Sequence, residues 1–488
     1  MFKSKADMES IGFRIDSSYI SLPEKLYTTI KPTKVSKASL VLFNDDLAIQ
    51  LGLDFSKITE QGKAEIFSGM ISIPGSTSLA QAYAGHQFGR FTYLGDGRAL
   101  LLAEHIIPDQ KRVDIQLKGS GPTPYSRGGD GLAALGPMLR EYLISEAMAA
   151  LNIPTTRSLA VVSTNQKVRR QTDLEGAILT RIAQSHIRVG TFQYAIAEGG
   201  TSTLKALADY TINRHYPNIT EENRYFELLH EVIKAQAKLI AQWQLVGFVH
   251  GVMNTDNMAI SGETIDYGPC AFLDTYDPKT VFSSIDYSGR YAYVNQSAIA
   301  AWNLARFAET LLPILDNDQF RARSLAQNAV ETFLPMFRVE WLNGMRKKLG
   351  LFDNEAEDES LIEELLSIMQ KEKADYNKTF VNLALNLELF NLKPAYNAWL
   401  EKYEKRRSRQ KESITESVEL MKSVNPAIIP RNHLVEQALS QATEHQDFGS
   451  FEHLLSMIRH PFSYSEAQLE LDQLDVTSSQ PYRTYCGT

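Results

Sequence analysis

The spacing of apolar residues changes near residue 195 of this chain. Between Phe91 and Gln193, short apolar or alternating runs are separated by Gly, Pro and polar turns, which predicts the strands of a small sheet. After about Thr201 the apolar positions recur with helical periodicity, as in residues 225–243. The pattern therefore predicts an α+β protein in which a strand-rich N-terminal lobe precedes a larger helical lobe. The clearest strand candidates are residues 99–103, 113–118, 159–162 and 177–181.

One helical pattern lies inside the strand-rich region. Pro137 occupies a first-turn position, where its missing N–H has no helical partner to lose, and Leu139, Leu143 and Ala147 fall on one stripe of the segment. We therefore predict a single helix packed on the sheet. Residues 1–90 mix short apolar runs with turns and carry no motif that we can interpret chemically, so we expect an extension packed on the N-terminal lobe.

Composition and charge narrow the classes of function. Of the 488 residues, 43% are hydrophobic and 22% are charged, which is the balance of a globular protein with more than one core. The net charge of −8 argues against nucleic acid as a partner, because phosphate binding needs a dominant basic face. The basic run at residues 404–409 is interpreted as a solvated helix face. No uncharged apolar stretch reaches about eighteen residues, and only two cysteines occur, so we expect a cytoplasmic protein without a membrane span.

Two glycine-rich segments flank a candidate phosphate-binding strand. Residues 94–100 form a glycine turn that leads into an apolar strand, and this turn fits either close approach to a phosphate or a plain hairpin. In residues 113–118 the apolar side chains alternate toward a core, so Lys118 emerges on the opposite face and can reach a phosphate. Residues 119–131 hold too many glycines for one turn, which is typical of a mobile loop or of backbone pressed against a ligand.

Four charged residues are candidates to join this lysine. Glu141 and Glu146 both lie on the predicted helix, Glu141 in its first turn, and spacing alone allows either to pair with Lys118. Arg181 and Arg188 stand either two helical turns apart or at a strand end and across a turn. Exposed arginines are the usual case, but two guanidinium groups beside a polar turn can clamp phosphate oxygens.

The most informative run covers residues 247–268. Asn257 and Asp266 supply oxygen ligands of the kind that Mg²⁺ prefers, and Asp256 is a neighbouring carboxylate that can take a proton. Against the protein-kinase patterns HRDxxxxN and DFG, His250 matches the catalytic-loop histidine, Asn257 the metal-binding asparagine and Asp266 the aspartate of DFG. Val252 stands in place of the usual catalytic aspartate. The run therefore indicates a kinase-like scaffold that keeps the metal ligands and lacks the usual base.

Several strings together resemble the SelO family, also called YdiU, over most of the chain. They are YAGHQFG, LGDGRA, QLKGSGPTPYSRGGDG, REYLISEAM, QSHIRVG, HGVMNTDNM, IDYGPCAFLD and NPAIIPRNHLVE. The resemblance implies a protein-kinase-like bilobal fold that binds ATP in an inverted orientation. It also implies transfer of AMP to Ser, Thr or Tyr hydroxyls of proteins with release of pyrophosphate. We expect Mg²⁺ as the ion, with Mn²⁺ as the alternative, and self-modification as a side reaction.

Carried over residue by residue, the resemblance assigns a role to each candidate. It makes Asn257 and Asp266 the magnesium ligands, Asp256 the proton acceptor, and Glu141 the ion-pair partner of Lys118. The residues around the nucleotide would be Gly95, Gly97, Arg98, Lys118, Asp130, Gly131, Arg181, Arg188 and Asp266. The predicted domains are an N-terminal extension (1–90), a nucleotide-binding N-lobe (91–195), a helical C-lobe with the catalytic and metal loops (196–470) and a C-terminal tail (471–488). Kinase-type phosphoryl transfer and an inert ATP-binding scaffold are the alternatives.

The two cysteines suggest a regulatory hypothesis. Members of the family often end with a cysteine or selenocysteine close to the terminus, and this chain ends with Tyr485-Cys486-Gly487-Thr488. Because Cys270 follows the Asp266-Tyr267-Gly268 turn, a bridge to Cys486 would tether the tail near the metal loop. Two unrelated thiols are the alternative.

Overall fold

The strand-rich part of the chain forms one antiparallel sheet of eight strands. The computed structural model describes residues 8–385, 394–472 and 482–484. Within them the strands are β1 (Tyr27–Thr29), β2 (Ser39–Phe43), β3 (Leu79–Gln81), β4 (Ala84–Gln87), β5 (Arg90–Tyr93), β6 (Ala99–Ile106), β7 (Arg112–Lys118), β8 (Ala133–Ala134), β9 (Arg157–Arg169), β10 (Asp173–Ala183), β11 (Phe248–Val249) and β12 (Ala271–Phe272). The strand order in the sheet is β1-β3-β6-β7-β10-β9-β2, and β8 pairs with β10.

Helices make up most of the remainder. In chain order they are α1 (Asp45–Gln50), α2 (Glu60–Phe67), α3 (Leu135–Ala150), α4 (Val189–Tyr194), α5 (Gly200–His215), α6 (Arg224–Leu245), α7 (Gln296–Leu315), α8 (Gln319–Glu331), α9 (Phe333–Lys348), α10 (Asp358–Lys371), α11 (Tyr376–Leu385), α12 (Pro394–Arg407), α13 (Ile414–Val424), α14 (Asn432–Glu444), α15 (Gly449–Ile458) and α16 (Glu466–Asp472). The predicted α+β order, with strands first and helices after, is confirmed. In the part of the chain that the structure describes, every helix is too short or too polar to span a bilayer.

The two faces of the sheet are covered by different cores. Ile115 and Leu117 of β7 are fully buried in a cluster that includes Leu47 and Phe67, so residues before position 90 cover this face. Leu179 of β10 belongs to the other cluster, which includes α3 and continues into the helical part. The predicted alternation along β7 is therefore confirmed. The same N-terminal residues also supply β1, β2 and β3 to the sheet, while the domain boundaries themselves stay a prediction.

Helix α3 is the predicted helix, with its start shifted by two residues. It begins at Leu135, so that Pro137 is its third residue, and Leu139 and Leu143 are fully buried. Glu141 was expected in the first turn but lies one turn further on, because the helix starts earlier than the proline. Glu141 is 2% exposed, so its side chain points into the protein.

The interpretation of residues 404–409 as a solvated face is wrong in part. Arg406 of α12 is only 2% exposed, and its Nε atom donates to Asp358 Oδ1 of α10 at 2.6 Å. Asp358 is itself fully buried. A distant carboxylate of this kind leaves no signal in the local sequence, so a charge run alone could not reveal the buried pair.

Two small sheets position the loops below the large sheet. Strands β11 and β12 pair with each other and so close residues 250–270 into one loop between them. Strands β4 and β5 form a separate hairpin. The β4–β5 hairpin contacts the short helical turn Thr255–Asn257 inside that loop. Residues 84–93, which precede the long strands β6 and β7, therefore pack on the loop that carries Asp256 and Asn257.

Candidate functional site

Lys118 ends strand β7 and is buried among charged groups. Its Nζ atom donates to Glu141 Oε2 at 2.7 Å and to Asp266 Oδ1 at 3.2 Å. Burial and the neighbouring Arg181 lower the pKa of Lys118, while both carboxylates oppose that change. The end of β7 therefore places the Lys118 ammonium group between Glu141 of α3 and Asp266 of the loop that follows β11.

Glu141 is the partner of Lys118, and the rival glutamate is used elsewhere. The carboxylate of Glu146 accepts hydrogen bonds from both Nε and Nη2 of Arg157 at 2.8 Å. Glu141 also accepts from Arg181 Nε at 2.5 Å, so one carboxylate holds two cations. Burial alone would raise the pKa of Glu141, but the charges of Arg181 and Lys118 outweigh it and lower the pKa.

The two predicted arginines approach the site from one strand and the turn after it. Arg181 lies on β10, and Arg188 immediately precedes α4, which resolves the alternatives in favour of a strand end and a turn. Both guanidinium groups contact Asp266: Arg181 through a short hydrogen bond and Arg188 with Nη1 at 3.6 Å from Oδ2. The Arg188 guanidinium also stacks on the ring of Tyr83 at 4.3 Å. Both arginines are about 2% exposed, so their charges act in a poorly solvated place.

Asp266 faces these cations from a constrained backbone. Its φ of 62° lies in the left-handed region, which aspartate tolerates better than most residues. Burial would raise the pKa of Asp266, but Arg181, Lys118 and Arg188 together hold it well below its usual range. The carboxylate is therefore ionised at neutral pH and can serve a hard cation.

Asn257 ends the short turn Thr255–Asn257 and faces the same cavity as Asp266. Its Nδ2 atom donates to the carbonyl of Val252 at 2.9 Å, an orientation that turns the amide oxygen toward other partners. Among the described residues no group of three or more His, Cys, Asp or Glu side chains could hold a metal. Two oxygen side chains suit Mg²⁺, which commonly takes one or two protein ligands and completes its shell with phosphate and water.

Asp256 sits beneath the β4–β5 hairpin and is 7% exposed. A Cβ atom on Gly85 would lie 2.1 Å from Asp256 Oδ1, so only glycine fits at that position of β4. Burial raises the pKa of Asp256 to about 6, against the opposing effects of its hydrogen bonds and of Arg188. Within the described chain the Oδ1 atom has no hydrogen-bond partner. A carboxylate in this state is a stronger base than an exposed one and has an oxygen free to accept a proton.

One cavity of about 240 Å³ unites most of the predicted residues. Its lining comprises Tyr83, Gln87, Asp96, Gly97, Arg98, Ala99, Lys118, Arg181, Arg188, Val252, Asn254, Asp256, Asn257, Asp266, Gly268 and Pro269. Glu141, Gly95, Asp130 and Gly131 do not line it, although Glu141 lines the neighbouring larger cavity. The exposed Asp130 pairs with Arg170 Nη1 at 2.7 Å, and Gly95 packs against Tyr125.

A second cavity of about 1170 Å³ adjoins the first, and Arg98, Lys118 and Gly268 line both. Its walls come from the start of α3, from β9 and β10, and from α14. They include apolar side chains such as Val41 and Leu174 beside polar ones. Charged and polar side chains therefore predominate in the lining of the small cavity, whereas the large cavity is lined by both apolar and polar side chains.

Sequence reasoning missed the hairpin and the residues around Asp256. Gln87 lines the same cavity as Asp256, the ring of Tyr83 lies against the Arg188 guanidinium, and the amide of His86 donates to Thr255 Oγ1 at 2.7 Å. These residues lie before position 91, in the segment without an interpretable motif. The signal that was available is the run YAGHQFG, in which the small residues before the histidine indicate close backbone approach.

The family model and the curated relatives agree with each other. The family model described as Protein adenylyltransferase SelO matches residues 11–459. Curated proteins named Protein nucleotidyltransferase YdiU, from Bacillus thuringiensis and Bacillus cereus, are 57% identical to this chain over 98% of its length and 99% of theirs. A solved structure of ROP2 from Toxoplasma gondii, titled as a virulence factor with a protein-kinase fold and no enzymatic activity, covers 68% of this chain and 88% of its own. At 10% identity and a TM-score of 0.23, that similarity adds nothing to the assignment.

Proposed function

This chain belongs to the SelO family of protein adenylyltransferases and transfers AMP to proteins, and we propose that ATP lies inverted in its cleft relative to a protein kinase. The triphosphate end would enter the small cavity, toward Arg181 and Arg188. The nucleoside would occupy the adjoining large cavity. In this orientation the α-phosphorus, rather than the γ-phosphorus, faces the acceptor.

The observation that carries this proposal is the charge at the closed end of the cleft. The end of β10 and the turn after it bring the buried guanidinium groups of Arg181 and Arg188 into the small cavity. A neutral purine gains little from such cations, whereas phosphate oxygens gain charge-assisted hydrogen bonds. The small cavity, at about 240 Å³, also falls below the usual range of about 300–1,000 Å³ for small-molecule sites. The large cavity has the room and the apolar surface that a nucleoside needs.

Each charged residue then has a role in AMP transfer. The acceptor oxygen forms a bond to the α-phosphorus, the bond from that phosphorus to the bridging oxygen breaks, and the electron pair leaves with pyrophosphate. Lys118, Arg181 and Arg188 stabilise the charge that grows on pyrophosphate; one such arginine can matter by roughly 10³ to 10⁵ in rate. Asp256 accepts the proton of the acceptor hydroxyl, since its raised pKa matches that task near neutrality.

Asn257 and Asp266 would hold Mg²⁺, which when bound neutralises phosphate charge and orients the triphosphate. The remaining assignments rest on the family resemblance. Gly97 and Arg98 would contact the nucleotide from the wall of the small cavity, and Gly95, Asp130 and Gly131 would surround it outside that cavity. Protein hydroxyls would be the acceptors, this protein's own among them, and the protein would work in the cytoplasm without nucleic acid as a partner.

Labelled ATP tests the reaction. With ATP labelled at the α-phosphate, label should appear on acceptor protein, whereas label at the γ-phosphate should leave with pyrophosphate. Retention of γ-label would instead indicate kinase-type transfer, and retention of neither would indicate an inert scaffold. Intact-mass analysis of the protein incubated with ATP and Mg²⁺ measures self-modification in the same samples.

The orientation needs a separate test. Photolysis of bound 8-azido-ATP, followed by peptide mapping, should attach the base to peptides that line the large cavity, such as residues 163–175 or 436–446. Excess unlabelled ATP should abolish the attachment. Attachment to residues 184–188 would place the base at the closed end and would overturn the inverted orientation.

A further inference from the structure

We propose that the β4–β5 hairpin and residues 286–291 form the docking surface for the acceptor protein, and that Arg90 and Arg290 select acceptor segments rich in carboxylates. The inference rests on the proposed function of the cleft, because it concerns what approaches Asp256 from outside. It identifies the partner by its chemistry: a polypeptide segment with Asp or Glu residues beside the modified hydroxyl.

The hairpin is attached directly to the catalytic loop. The amide of His86 donates to Thr255 Oγ1 at 2.7 Å, and the amide of Phe88 donates to Asn254 Oδ1 at 3.1 Å. Gly85 leaves no room for a side chain between the strand and Asp256. Anything bound to the outer parts of the hairpin is therefore held in a fixed relation to the proton acceptor.

The register of the hairpin puts Arg90 on the face that contacts Asp256. Gln87 and Arg90 are directly opposed across the two strands, as are Gly85 and Thr92. Opposed residues of an antiparallel pair share one face, and residues two apart along a strand share it as well. Because Gln87 and Gly85 contact Asp256, Arg90 lies on the same face of the hairpin. Arg90 is exposed, so its guanidinium group meets whatever enters.

Arg290 lies on the other side of the hairpin turn. Its guanidinium group is 3.8 Å from the place where a Cβ of Gly89 would be, and it stacks on the ring of Trp302 at 4.9 Å. The next residue, Tyr291, donates to Asn254 Oδ1 at 2.6 Å and so fixes this segment to the catalytic loop. In the described part of the chain no carboxylate forms an ion pair with Arg90 or Arg290. Arg290 lies over the rings of Trp302 and Tyr291 instead, and its Nε atom is buried without a hydrogen-bond partner.

Exposed aromatic rings continue the surface along the other face of the hairpin. Phe91 and Tyr93 are 44% and 49% exposed. Their rings form edge contacts with each other at 5.3 Å, and the His86 ring links Phe91 to Trp302 at 5.3 and 5.2 Å. Large exposed rings beside arginines are typical of surfaces that bind polypeptides.

The charge of the whole molecule makes these arginines informative. With a net charge of −8, the protein repels acidic partners on average, so selection of an acidic segment requires cations placed where that segment approaches. Paired surface charges would need no ligand, whereas unpaired ones gain from an incoming carboxylate. The same cations could instead attract ATP, and the experiment separates the two.

The test uses the full-length protein and three synthetic peptides. Each peptide contains Ser, Thr and Tyr, and the peptides differ only in flanking Glu, Gln or Lys residues. Binding is measured by fluorescence anisotropy in the presence of Mg²⁺ and α,β-methylene-ATP, whose α,β bridge cannot be cleaved by AMP transfer, and transfer is measured as kcat/KM with ATP. The variants are Arg90→Glu, Arg290→Glu and the charge-conserving Arg90→Lys. Arg323→Glu, which changes an exposed arginine of α8, is the matched control.

We expect the Glu peptide to bind best and each reversal at Arg90 or Arg290 to weaken it roughly fivefold, which is the size of one partly exposed charge pair. Arg90→Lys and Arg323→Glu should keep the preference, and the affinity for the ATP analogue should stay unchanged. Equal binding of the three peptides, binding of none, or a preference that survives both reversals would overturn the docking surface. A fall in ATP affinity alone would show that the arginines serve the nucleotide. Binding preference without AMP transfer would overturn only the proposed chemistry.

Discussion

Replacing Asp256 by Asn should stabilise the unliganded protein while removing most of its activity. The carboxylate is 7% exposed, and its Oδ1 atom has no partner among the described residues. Burial raises its pKa to about 6, so keeping it ionised at neutral pH destabilises the fold. An amide of the same shape carries no charge and avoids this desolvation penalty.

The magnitude follows from the pKa. The pKa of Asp256 rises from 3.8 to about 6, and each pKa unit corresponds to about 1.4 kcal/mol. The ionised carboxylate therefore lowers the free energy of unfolding by roughly 3 kcal/mol. Because the pKa is raised in the folded state, the penalty is absent below 3.8, grows as the pH rises and is complete above about 6. The free energy of unfolding of Asp256→Asn should therefore exceed that of the wild type by roughly 1.5 kcal/mol at about pH 5 and roughly 3 kcal/mol at about pH 8.

Urea unfolding without nucleotide or metal measures this difference at both pH values. Asp46→Asn, which changes an exposed carboxylate of α1, is the control and should alter stability by less than about 0.5 kcal/mol at either pH. In the transfer assay, kcat of Asp256→Asn should fall by about 10² to 10⁴, the usual contribution of a general base. Binding of α,β-methylene-ATP should not weaken, because the substitution removes a negative charge from beside the triphosphate.

Two results would refute the reasoning separately. A variant that is less stable than the wild type at pH 8, or whose advantage does not grow with pH, would show that Asp256 carries no buried charge. An unchanged kcat would show that another group accepts the proton. In the wild type, kcat should decline as the pH falls through about 6, since protonated Asp256 cannot act as a base.

Three further predictions follow from the same geometry. Asp266→Ala should reduce AMP transfer by roughly a thousandfold through loss of a metal ligand, and unchanged turnover would refute its assignment. Gly85→Ala should abolish transfer in a folded protein, because the new Cβ would lie 2.1 Å from Asp256 Oδ1. The control is Gly449→Ala, whose new Cβ would meet only a side-chain oxygen at 3.2 Å. This variant should keep the wild-type transfer rate and the wild-type circular dichroism spectrum. Mass mapping under oxidising, non-reducing conditions should find the two cysteines bridged, and two free thiols would remove the redox hypothesis.

The fold was largely predictable because its signals are local. Alternation along β7 and the apolar stripe of α3 identify their buried faces without any knowledge of partners. The start of α3 was misplaced because a proline is tolerated anywhere in a first turn, so it marks the start of a helix only to within a few residues. The buried Arg406 escaped notice since its partner, Asp358, lies 48 residues away in sequence.

The site was predictable where chemistry fixes the residue type. Lys118 at the end of a strand, followed by Asn257 and Asp266 around a short loop, matches the order of functional residues in the kinase pattern. The choice between Glu141 and Glu146 depends instead on packing across the sheet. The structure places Arg157 beside Glu146 and thereby decides the pairing. The hypothesis of a Cys270–Cys486 bridge stays a prediction, because Cys486 lies outside the described residues. Thr484, two residues earlier, donates to the carbonyl of Pro269 at 2.8 Å, next to Cys270.

The β4–β5 hairpin connects two properties that a protein adenylyltransferase has to match. Its inner face, through Gly85 and Gln87, excludes water from Asp256 and so sustains the raised pKa that makes the carboxylate a useful base. The same face carries the exposed Arg90, which we propose meets the acceptor. A change that loosens the hairpin should therefore alter acceptor preference and the pH dependence of kcat together. If the two were carried by separate elements, a variant would change one without the other, and the hairpin would be only a structural support.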